Sequence, residues 1–322
     1  RHIASAGLHR NKDATMHRQG NFAMITRNHL AALAGALLVL PTAALAAPGD
    51  DERGYLDIHA SGITASGTAP DGTEDADKAG GEFGAALSYD IDSGPMLYGI
   101  DLSSTYYAYS DASREDRFSN RIGGNLGYRV SDDVTFAALA DFTSHAATVE
   151  STKADQTRLR GQITVQPGPH RFRLTGGWRW RDYRDRPGES GDGPTVSAEY
   201  RYRLGKGHFF SVSAQYEEID ATLASRSYRR TTVSADYRVR LADPLSLSAG
   251  LTYKAWNYPG RAVGPDTQHD HIWTPELGLS WEFAKDWYAE LDGKIIWRDS
   301  NNPGYTETIK RGMFTLRKRF RL

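Results

Sequence analysis

The sequence predicts an all-β fold: a single antiparallel up-and-down barrel of fourteen strands that crosses a membrane. Two neighbouring segments alternate between apolar and charged residues, and tryptophan stands at both ends of each. Twelve further segments alternate in the same way. Turn-forming clusters separate all of them, so the chain is predicted to run back and forth through one sheet.

The two tryptophan-bounded segments indicate how long the strands are. In 273–283 the odd positions run from Trp273 to Phe283 and are apolar, whereas the even positions are polar or charged; 287–297 repeats the pattern. Because side chains of a strand alternate between two faces, each segment has one apolar and one charged face. Ten residues at ~3.3 Å each, tilted by ~40°, span roughly 25 Å, the height of the lipid-facing band of an outer-membrane barrel.

The other strands follow in chain order, each recognised by apolar residues at every second position. Before the tryptophan-bounded pair they cover Leu56–Ala60, Phe83–Tyr89, Met96–Tyr106, Phe118–Val130, Val134–Phe142, Leu159–Val165, Phe172–Trp180, Val196–Leu204, Phe210–Tyr216, Thr231–Leu241 and Leu245–Tyr253. The last strand covers Gly312–Leu322. The first strand is the weakest, so twelve or sixteen strands remain alternatives.

The connections alternate in length, as they do in bacterial barrels with short periplasmic turns and longer external loops. Short turns are predicted at 92–95, 131–133, 167–169, 205–207, 242–244 and 284–286. Longer connections are predicted at 62–80, 109–115, 145–156, 183–194, 217–228, 257–270 and 298–308. None is much longer than twenty residues, so we expect no large folded plug.

Composition excludes a helical membrane protein. The chain has 322 residues, 39 basic and 40 acidic residues, no cysteine and a mean hydropathy of −0.57. Helical membrane proteins need apolar runs of ~20 residues, whereas a barrel needs an apolar residue only at every second strand position. The absence of cysteine fits an oxidising compartment.

The N-terminal region predicts export. Met24 precedes Arg27, an apolar run over Leu30–Leu40 and the small-residue pattern Ala44–Ala46, which together resemble a secretory signal peptide at 24–46. Cleavage is expected after Ala46 or one residue later. Residues 1–23 are interpreted as a disordered upstream or non-native extension, and 47–322 as the barrel. Without residues 1–46 the chain has 34 basic and 39 acidic residues, and nothing in it indicates nucleic-acid binding.

Charged residues opposite the apolar positions are predicted to line the lumen and set its selectivity. They are Arg158, Arg160, Arg171, Arg173, Arg179, Arg181, Arg201, Arg203, Asp236, Arg238, Arg240, Glu276, Glu290, Asp292, Arg317 and Arg319. Guanidinium groups stay charged, so they either favour anions in the lumen or pair with carboxylates across it. The predicted aromatic girdle comprises Trp178, Trp180, Trp273, Trp281, Trp287 and Trp297.

Candidate catalytic groups are sparse. Ser144 and His145 stand at the end of the fifth strand, and His269 and His271 share a face where a dyad with Asp270 or a metal site is conceivable. Neither pattern has a third group or a recognisable motif. We therefore expect no enzyme, no cofactor and no metal site. The acidic first loop (Asp71, Glu74, Asp75 and Asp77) is expected to be a solvated loop, or to meet cations that bridge lipopolysaccharide.

The last strand carries two resemblances. Phe314, Leu316, Phe320 and Leu322 alternate in a way that resembles the terminal signal read by the outer-membrane barrel assembly machinery, although the usual final Phe is Leu322 and Lys318 lies on the apolar face. This resemblance implies the outer membrane of a Gram-negative bacterium, with its lipid, its lipopolysaccharide and the assembly machinery as partners.

The segments Ser300–Tyr305 and Leu316–Phe320, with Arg311 between them, are similar to the C-terminal barrel of surface lipoprotein assembly modifiers. That family joins a fourteen-stranded barrel to a periplasmic helical-repeat domain and helps to export lipoproteins to the cell surface. Only Ala47–Arg53 precede the first strand, so we expect no helical-repeat domain here.

The sequence therefore predicts a monomeric outer-membrane barrel that acts as a passive transport pore for small polar or anionic solutes. A barrel component for surface export or envelope assembly is the alternative. An interfacial hydrolase of the outer membrane is the third possibility.

Overall fold

The fourteen strands close into one barrel. A computed structural model describes residues 52–66, 79–110, 116–146 and 154–322, all within the compact unit Pro48–Leu322. The strands are β1 (Glu52–Ser66), β2 (Gly80–Ser93), β3 (Met96–Tyr109), β4 (Arg117–Ser131), β5 (Val134–Ala146), β6 (Ala154–Val165), β7 (His170–Tyr183), β8 (Gly191–Gly205), β9 (His208–Ala221), β10 (Tyr228–Ala242), β11 (Leu245–Val263), β12 (Asp266–Ala284), β13 (Trp287–Ser300) and β14 (Glu307–Arg321).

Each strand pairs antiparallel with its neighbours in sequence, and β1 pairs with β14 from Tyr55–Arg321 to Ser66–Lys310. Closure leaves no unpaired strand edge. The predicted all-β, fourteen-stranded, up-and-down barrel is confirmed. Among the described residues no helix is long and apolar enough to cross a membrane. The predicted extension, signal peptide and acidic first loop lie outside the described residues.

The apolar positions of the strands face outward. Leu277 and Leu291 are 62% and 57% exposed, as expected of side chains whose solvent is lipid rather than protein. The six tryptophans of the predicted girdle also point outward, with exposures between 41% and 50%. Trp273 is the direct cross-strand partner of Trp297. Their role at the membrane interface stays a prediction.

The two ends of the barrel differ in their connections. Two to four residues join the strands at one end, which we call the turn end, as between Ser131 and Val134. The opposite end, the loop end, has connections at 67–79, 110–116, 147–153, 184–190, 222–227, 264–265 and 301–306. Three of these loops include short 3-10 helices: η3 (Pro187–Glu189), η4 (Ala224–Arg226) and η5 (Pro303–Tyr305).

The predicted loop at 257–270 is wrong. β11 continues to Val263 and β12 starts at Asp266, so each has 19 residues and a two-residue turn joins them. Pro259 and Gly260, residue types that normally interrupt strands, lie in an irregularity of the β11–β12 pairing between Tyr258 and Ala262. A bulge accommodates such residues and lets the pairing resume beyond them. The β11–β12 hairpin consequently extends further than its neighbours at the loop end.

Candidate functional site: the barrel lumen

All residues that the sequence assigns to the lumen occupy inward-facing strand positions. These positions alternate with the exposed apolar ones, and strand pairing aligns them around the barrel. On β6–β10 and β12–β14 they are Arg158, Arg160, Arg171, Arg173, Arg179, Arg181, Arg201, Arg203, Asp236, Arg238, Arg240, Glu276, Glu290, Asp292, Arg317 and Arg319. The structure adds their partners. The sequence pattern did not single out Asp141 as one of these partners, although it stands at an inward position of β5.

Arg158 and Arg160 on β6 share the carboxylate of Asp141 on β5. Arg158 donates to Oδ1 through Nε at 2.9 Å and through Nη2 at 2.5 Å, and Arg160 Nη2 donates to Oδ2 at 2.8 Å. Arg121 Nε lies 3.6 Å from Oδ1. The Asp141 side chain is 2% exposed, so this part of the wall presents guanidinium groups to the lumen.

Glu199 on β8 is shared in the same way. Arg171 Nη2 donates to its Oε1 at 2.5 Å, while Arg173 and Arg201 each lie 3.6 Å from a carboxylate oxygen. Arg171 and Arg201 are direct cross-strand partners, and like charges in that arrangement repel. The carboxylate of Glu199 offsets this repulsion.

Glu217 on β9 is the centre of a third, buried cluster towards the loop end. Arg179 Nη1 donates to Oε2 at 2.9 Å, and Arg230 Nη2 lies 2.5 Å from Oε1. The Tyr228 hydroxyl accepts hydrogen bonds from Arg179 at 3.0 Å and from Arg181 at 3.1 Å. With Glu217 only 1% exposed, one carboxylate compensates several buried guanidinium groups.

The wall formed by β6–β10 therefore has an excess of positive charge. Its inward-facing arginines are Arg158, Arg160, Arg171, Arg173, Arg179, Arg181, Arg201, Arg203, Arg230, Arg238 and Arg240. The inward-facing carboxylates of the same strands are those of Glu199, Glu217 and Asp236. Asp141 on the neighbouring β5 is the next one along the wall. Pairing and net positive charge thus coexist, because each paired carboxylate is shared by two or three arginines.

A cavity of about 500 Å³ lies against the inner face of β8–β14, and we call it the central cavity. One row of cross-strand partners lining it consists of Arg201, Ser211, Asp236, Gly250, Glu276, Lys294 and Arg311. The adjacent row towards the turn end contributes Phe209, Arg238, Ser248, Gly278, Asp292 and Met313. The central cavity thus combines guanidinium, ammonium and carboxylate groups.

A basic mouth adjoins the central cavity at the turn end. A second cavity, of about 130 Å³, is lined by Arg171, Arg203 and His208 together with Arg201 and Phe209. Arg201 and Phe209 also line the central cavity. The two spaces therefore adjoin, and arginine lines the way from the turn end to the middle of the barrel.

The predicted residues of β14 pair with the strands on either side. Arg319 donates to Asp57 on β1 through Nε and Nη2, both at 2.8 Å. Arg317 Nη2 donates to Glu290 on β13 at 2.6 Å, and its Nη1 lies 3.6 Å from Asp57. These charges are neutralised locally, unlike those of the β6–β10 wall.

Two loops and the β11–β12 hairpin meet at the loop end and form what we call the cap. Leu223 N donates to Gly188 O at 2.7 Å, and Arg226 Nη2 lies 3.3 Å from Glu189 Oε1. From the hairpin, Arg261 Nε donates to the carbonyl of Ser225 at 2.7 Å. Burial, and after it the positive charge of Arg261, lower the pKa of Arg226 below its ordinary value.

The cap lies over inward-facing apolar residues. Ile219, Tyr228 and Tyr258 are at most 3% exposed, and they line a small space together with Glu189 and Arg226 of the cap. They belong to a buried cluster that also includes Trp256, Ile272, Ile296 and Ile309. The cap and this cluster fill the β9–β14 side of the lumen at the loop end.

The candidate catalytic groups are not assembled as the sequence suggested. Asp270 faces inward and accepts a 2.6 Å hydrogen bond from Arg298, whereas His269 and His271 face outward, so neither histidine forms a dyad with Asp270. His271 Nδ1 lies 2.7 Å from the Tyr253 hydroxyl. Adjacent strand residues point to opposite faces, which explains the separation.

Among the described residues, the side chains of Ser144 and His145 form hydrogen bonds with other groups and not with each other. His145 Nδ1 lies 2.9 Å from the carbonyl of Phe118, and the Ser144 hydroxyl oxygen accepts from Asn120 at 3.3 Å. In the described part of the chain, no three His, Cys, Asp or Glu side chains are grouped to hold a metal ion.

A closed antiparallel barrel with an apolar outer face, outward tryptophans and a charged lumen is the fold of the outer-membrane β-barrel proteins. No family model and no curated protein matches the chain. Solved structures of such barrels do. OmpT of Vibrio cholerae aligns with a TM-score of 0.51 at 10% identity, over 85% of this chain and 99% of that one.

Two more outer-membrane barrels give the same result. The outer membrane channel DcaP of Acinetobacter baumannii has a TM-score of 0.51 at 11% identity, over 84% of this chain and 96% of that one. OmpF of Salmonella typhi has a TM-score of 0.51 at 7% identity, over 84% and 97%. At these identities the likeness establishes the fold.

Proposed function

We propose that this protein is an outer-membrane channel through which small anionic solutes diffuse, in a Gram-negative bacterium. The observation that carries the proposal is the positive wall of β6–β10, where eleven inward-facing arginines meet three carboxylates. Fixed positive charge lowers the energy of an anion in a narrow aqueous passage and raises that of a cation. The structural similarity to the channel DcaP supports a channel role.

The path begins at the basic mouth of the turn end, which faces the periplasm in this proposal because short turns are periplasmic in bacterial barrels. It continues into the central cavity, past Arg201 and Phe209, which line both spaces. At the loop end the cap occupies the β9–β14 side. Among the described residues a cap is present on that side only, so the proposed path runs beside the inner face of β2–β6, where guanidinium groups cover Asp141.

The surroundings of the barrel follow from its outer face. We propose that the exposed apolar residues contact lipid, with lipopolysaccharide above the Trp273–Trp297 pair at the loop end. The signal peptide at 24–46 and the outward Phe314, Leu316 and Phe320 of β14 are the features expected for export and for recognition by the assembly machinery. A monomer, a role in surface export and an interfacial hydrolase stay predictions from the sequence.

The test is ion selectivity in planar lipid bilayers. Purified protein is refolded from residues 47–322 and exposed to a tenfold KCl gradient. We expect stable conductance steps and a reversal potential displaced towards that of chloride. A cation-selective channel would contradict the positive wall as the selectivity device. Absence of conductance in refolded barrels would contradict the channel itself.

A further inference from the structure

Three carboxylates of the central cavity differ from all the paired ones described above. Asp236, Glu276 and Asp292 make no hydrogen bond and no ion pair shorter than 4 Å with any described residue. By contrast Asp141 and Glu199 each contact three guanidinium groups. These three carboxylates line the central cavity instead of pairing with a neighbouring arginine.

Two glycines allow the carboxylates to converge. A Cβ atom at Gly250 would lie 2.7 Å from Glu276 Oε1 and 3.1 Å from Asp236 Oδ1, so these two oxygens are at most about 6 Å apart. A Cβ atom at Gly278 would lie 2.6 Å from both Asp292 Oδ1 and Ser248 Oγ. Because glycine has no side chain, the carboxylates of Glu276 and Asp236 occupy the space above Gly250, and that of Asp292 occupies the space above Gly278.

Cations face the same space from both sides of the carboxylates. Arg201 and Arg238 come from β8 and β10, and Arg311 comes from β14. Lys294 of β13, the direct cross-strand partner of Glu276, also lines this space. The cavity therefore has carboxylates without an ion pair to a described residue in its middle and cationic groups beside them.

We propose that the central cavity is a binding subsite for short zwitterionic peptides, an inference that rests on the proposed channel function. The terminal ammonium group is placed near Asp236, Glu276 and Asp292, and the terminal carboxylate is placed at the flanking arginines. A solute with one kind of charge would satisfy one set of groups and leave the other set desolvated and uncompensated.

The size of the cavity indicates the length of the peptide. About 500 Å³ falls within the range of 300–1,000 Å³ that proteins use for drug-sized ligands, and it exceeds the need of a single amino acid. An extended chain advances by roughly 3.3–3.6 Å per residue, so two or three residues separate the terminal charges by roughly 7–11 Å. That separation suits carboxylates and guanidinium groups on different strands of one wall.

The test compares three ligands of nearly equal size: triglycine, N-acetyl-triglycine without the ammonium group, and triglycinamide without the carboxylate. Each is titrated against the single-channel current, and binding to the protein in detergent micelles is measured by calorimetry. We expect saturable block and binding by triglycine, with each analogue at least about tenfold weaker, because a site that pairs both charges rejects a ligand lacking one.

Two double variants are compared, and each removes two lumenal carboxylates. Asp236→Asn with Glu276→Gln alters the central cavity, and Asp90→Asn with Asp101→Asn alters inward positions of β2 and β3 outside it. Only the first pair should weaken triglycine about tenfold. Gly278→Ala, which puts a methyl group against Asp292, is a milder second variant and should weaken triglycine as well.

The outcomes separate this inference from the channel proposal. An anion-selective channel that triglycine neither blocks nor binds overturns the zwitterion subsite and leaves the channel intact. Equal binding of the three ligands, or equal loss in both carboxylate pairs, also overturns it. If the protein shows no conductance but binds triglycine in micelles, and only the Asp236→Asn with Glu276→Gln variant loses that binding, the result contradicts the channel and supports the subsite.

Discussion

At the scale of single residues, the buried carboxylate of Glu217 is predicted to stabilise the barrel. Glu217→Gln would leave Arg179 and Arg230 without their charged partner in a buried environment. Removing one partner of a buried pair costs about 3–5 kcal/mol, because the remaining charge stays desolvated. We expect a loss of that order in the free energy of unfolding, measured by urea titration of the barrel in lipid vesicles.

Its neighbour Glu218 provides the control. Glu218 faces outward and pairs with Arg229 at 2.8 Å, where the Arg229 side chain is 57% exposed. An exposed ion pair contributes at most about 1 kcal/mol, so Glu218→Gln should scarcely change the unfolding midpoint. Equal effects of the two substitutions would show that burial of the Glu217 cluster is not what stabilises it.

The sequence could indicate which residues face the lumen, but not how their charges pair. Alternation alone places Arg158 and Arg179 inward, since it is a property of each strand by itself. Finding that Asp141 rather than a residue across the lumen accepts from Arg158 requires the register between β5 and β6. Register depends on turn geometry and on the hydrophobic pattern of both strands together. Alternation along single strands therefore cannot decide whether the lumenal arginines favour anions or pair with carboxylates.

At the scale of elements, the cap is predicted to limit the conductance at the loop end. A Cβ atom at Gly260 of the β11–β12 hairpin would lie 2.1 Å from the carbonyl oxygen of Ala224 in η4. Gly260→Ala must therefore displace the loop or the hairpin. We expect a larger single-channel conductance than in the unaltered protein, with the strand content by circular dichroism unchanged.

Gly293→Ala is the appropriate comparison, because an added Cβ there meets nothing within 4 Å. Gly293 faces outward on β13, so its substitution should leave the conductance as it was. If Gly260→Ala also left it unchanged, the cap would not lie in the path of the ions.

The β11–β12 hairpin shows that strand order could be predicted from the sequence, whereas the extent of these two strands could not. The existence and order of all fourteen strands followed from period-two alternation and from the spacing of turn residues. The predicted connection at 257–270 failed because Pro259 and Gly260 normally interrupt strands. Here a bulge in β11 accommodates both residues, and β11 resumes its pairing with β12 at Ala262, opposite Thr267. A bulge depends on the strand opposite, which is why local composition could not reveal it.

At the scale of the whole molecule, the uneven distribution of charge matters more than its sum. The complete chain has a formal charge of −1, yet the inner face of β6–β10 is strongly positive. Net charge would therefore predict no preference between ions. The barrel separates the charges by placing many acidic residues outside the positive wall, as Asp155, Glu218 and Asp299 illustrate on outward positions.

This separation predicts that anion selectivity weakens as salt increases. The Debye length is about 10 Å at 0.1 M and about 3 Å at 1 M, so concentrated KCl screens a wall charge before its potential reaches ions in the middle of the lumen. The anion-to-cation permeability ratio should therefore be higher in 0.1 M than in 1 M KCl. Arg160→Gln with Arg173→Gln should lower the ratio at 0.1 M by roughly twofold, since two fixed charges leave the wall.

Arg184→Gln with Arg229→Gln removes the same charge from exposed sites outside the lumen, where the side chains are 66% and 57% exposed. That variant should keep the original ratio at both salt concentrations, because solvent and counterions already screen its charges. Reversal potentials of the three proteins at the two concentrations decide the matter. A ratio independent of salt, or an equal reduction in both variants, would place the origin of selectivity outside the positive wall.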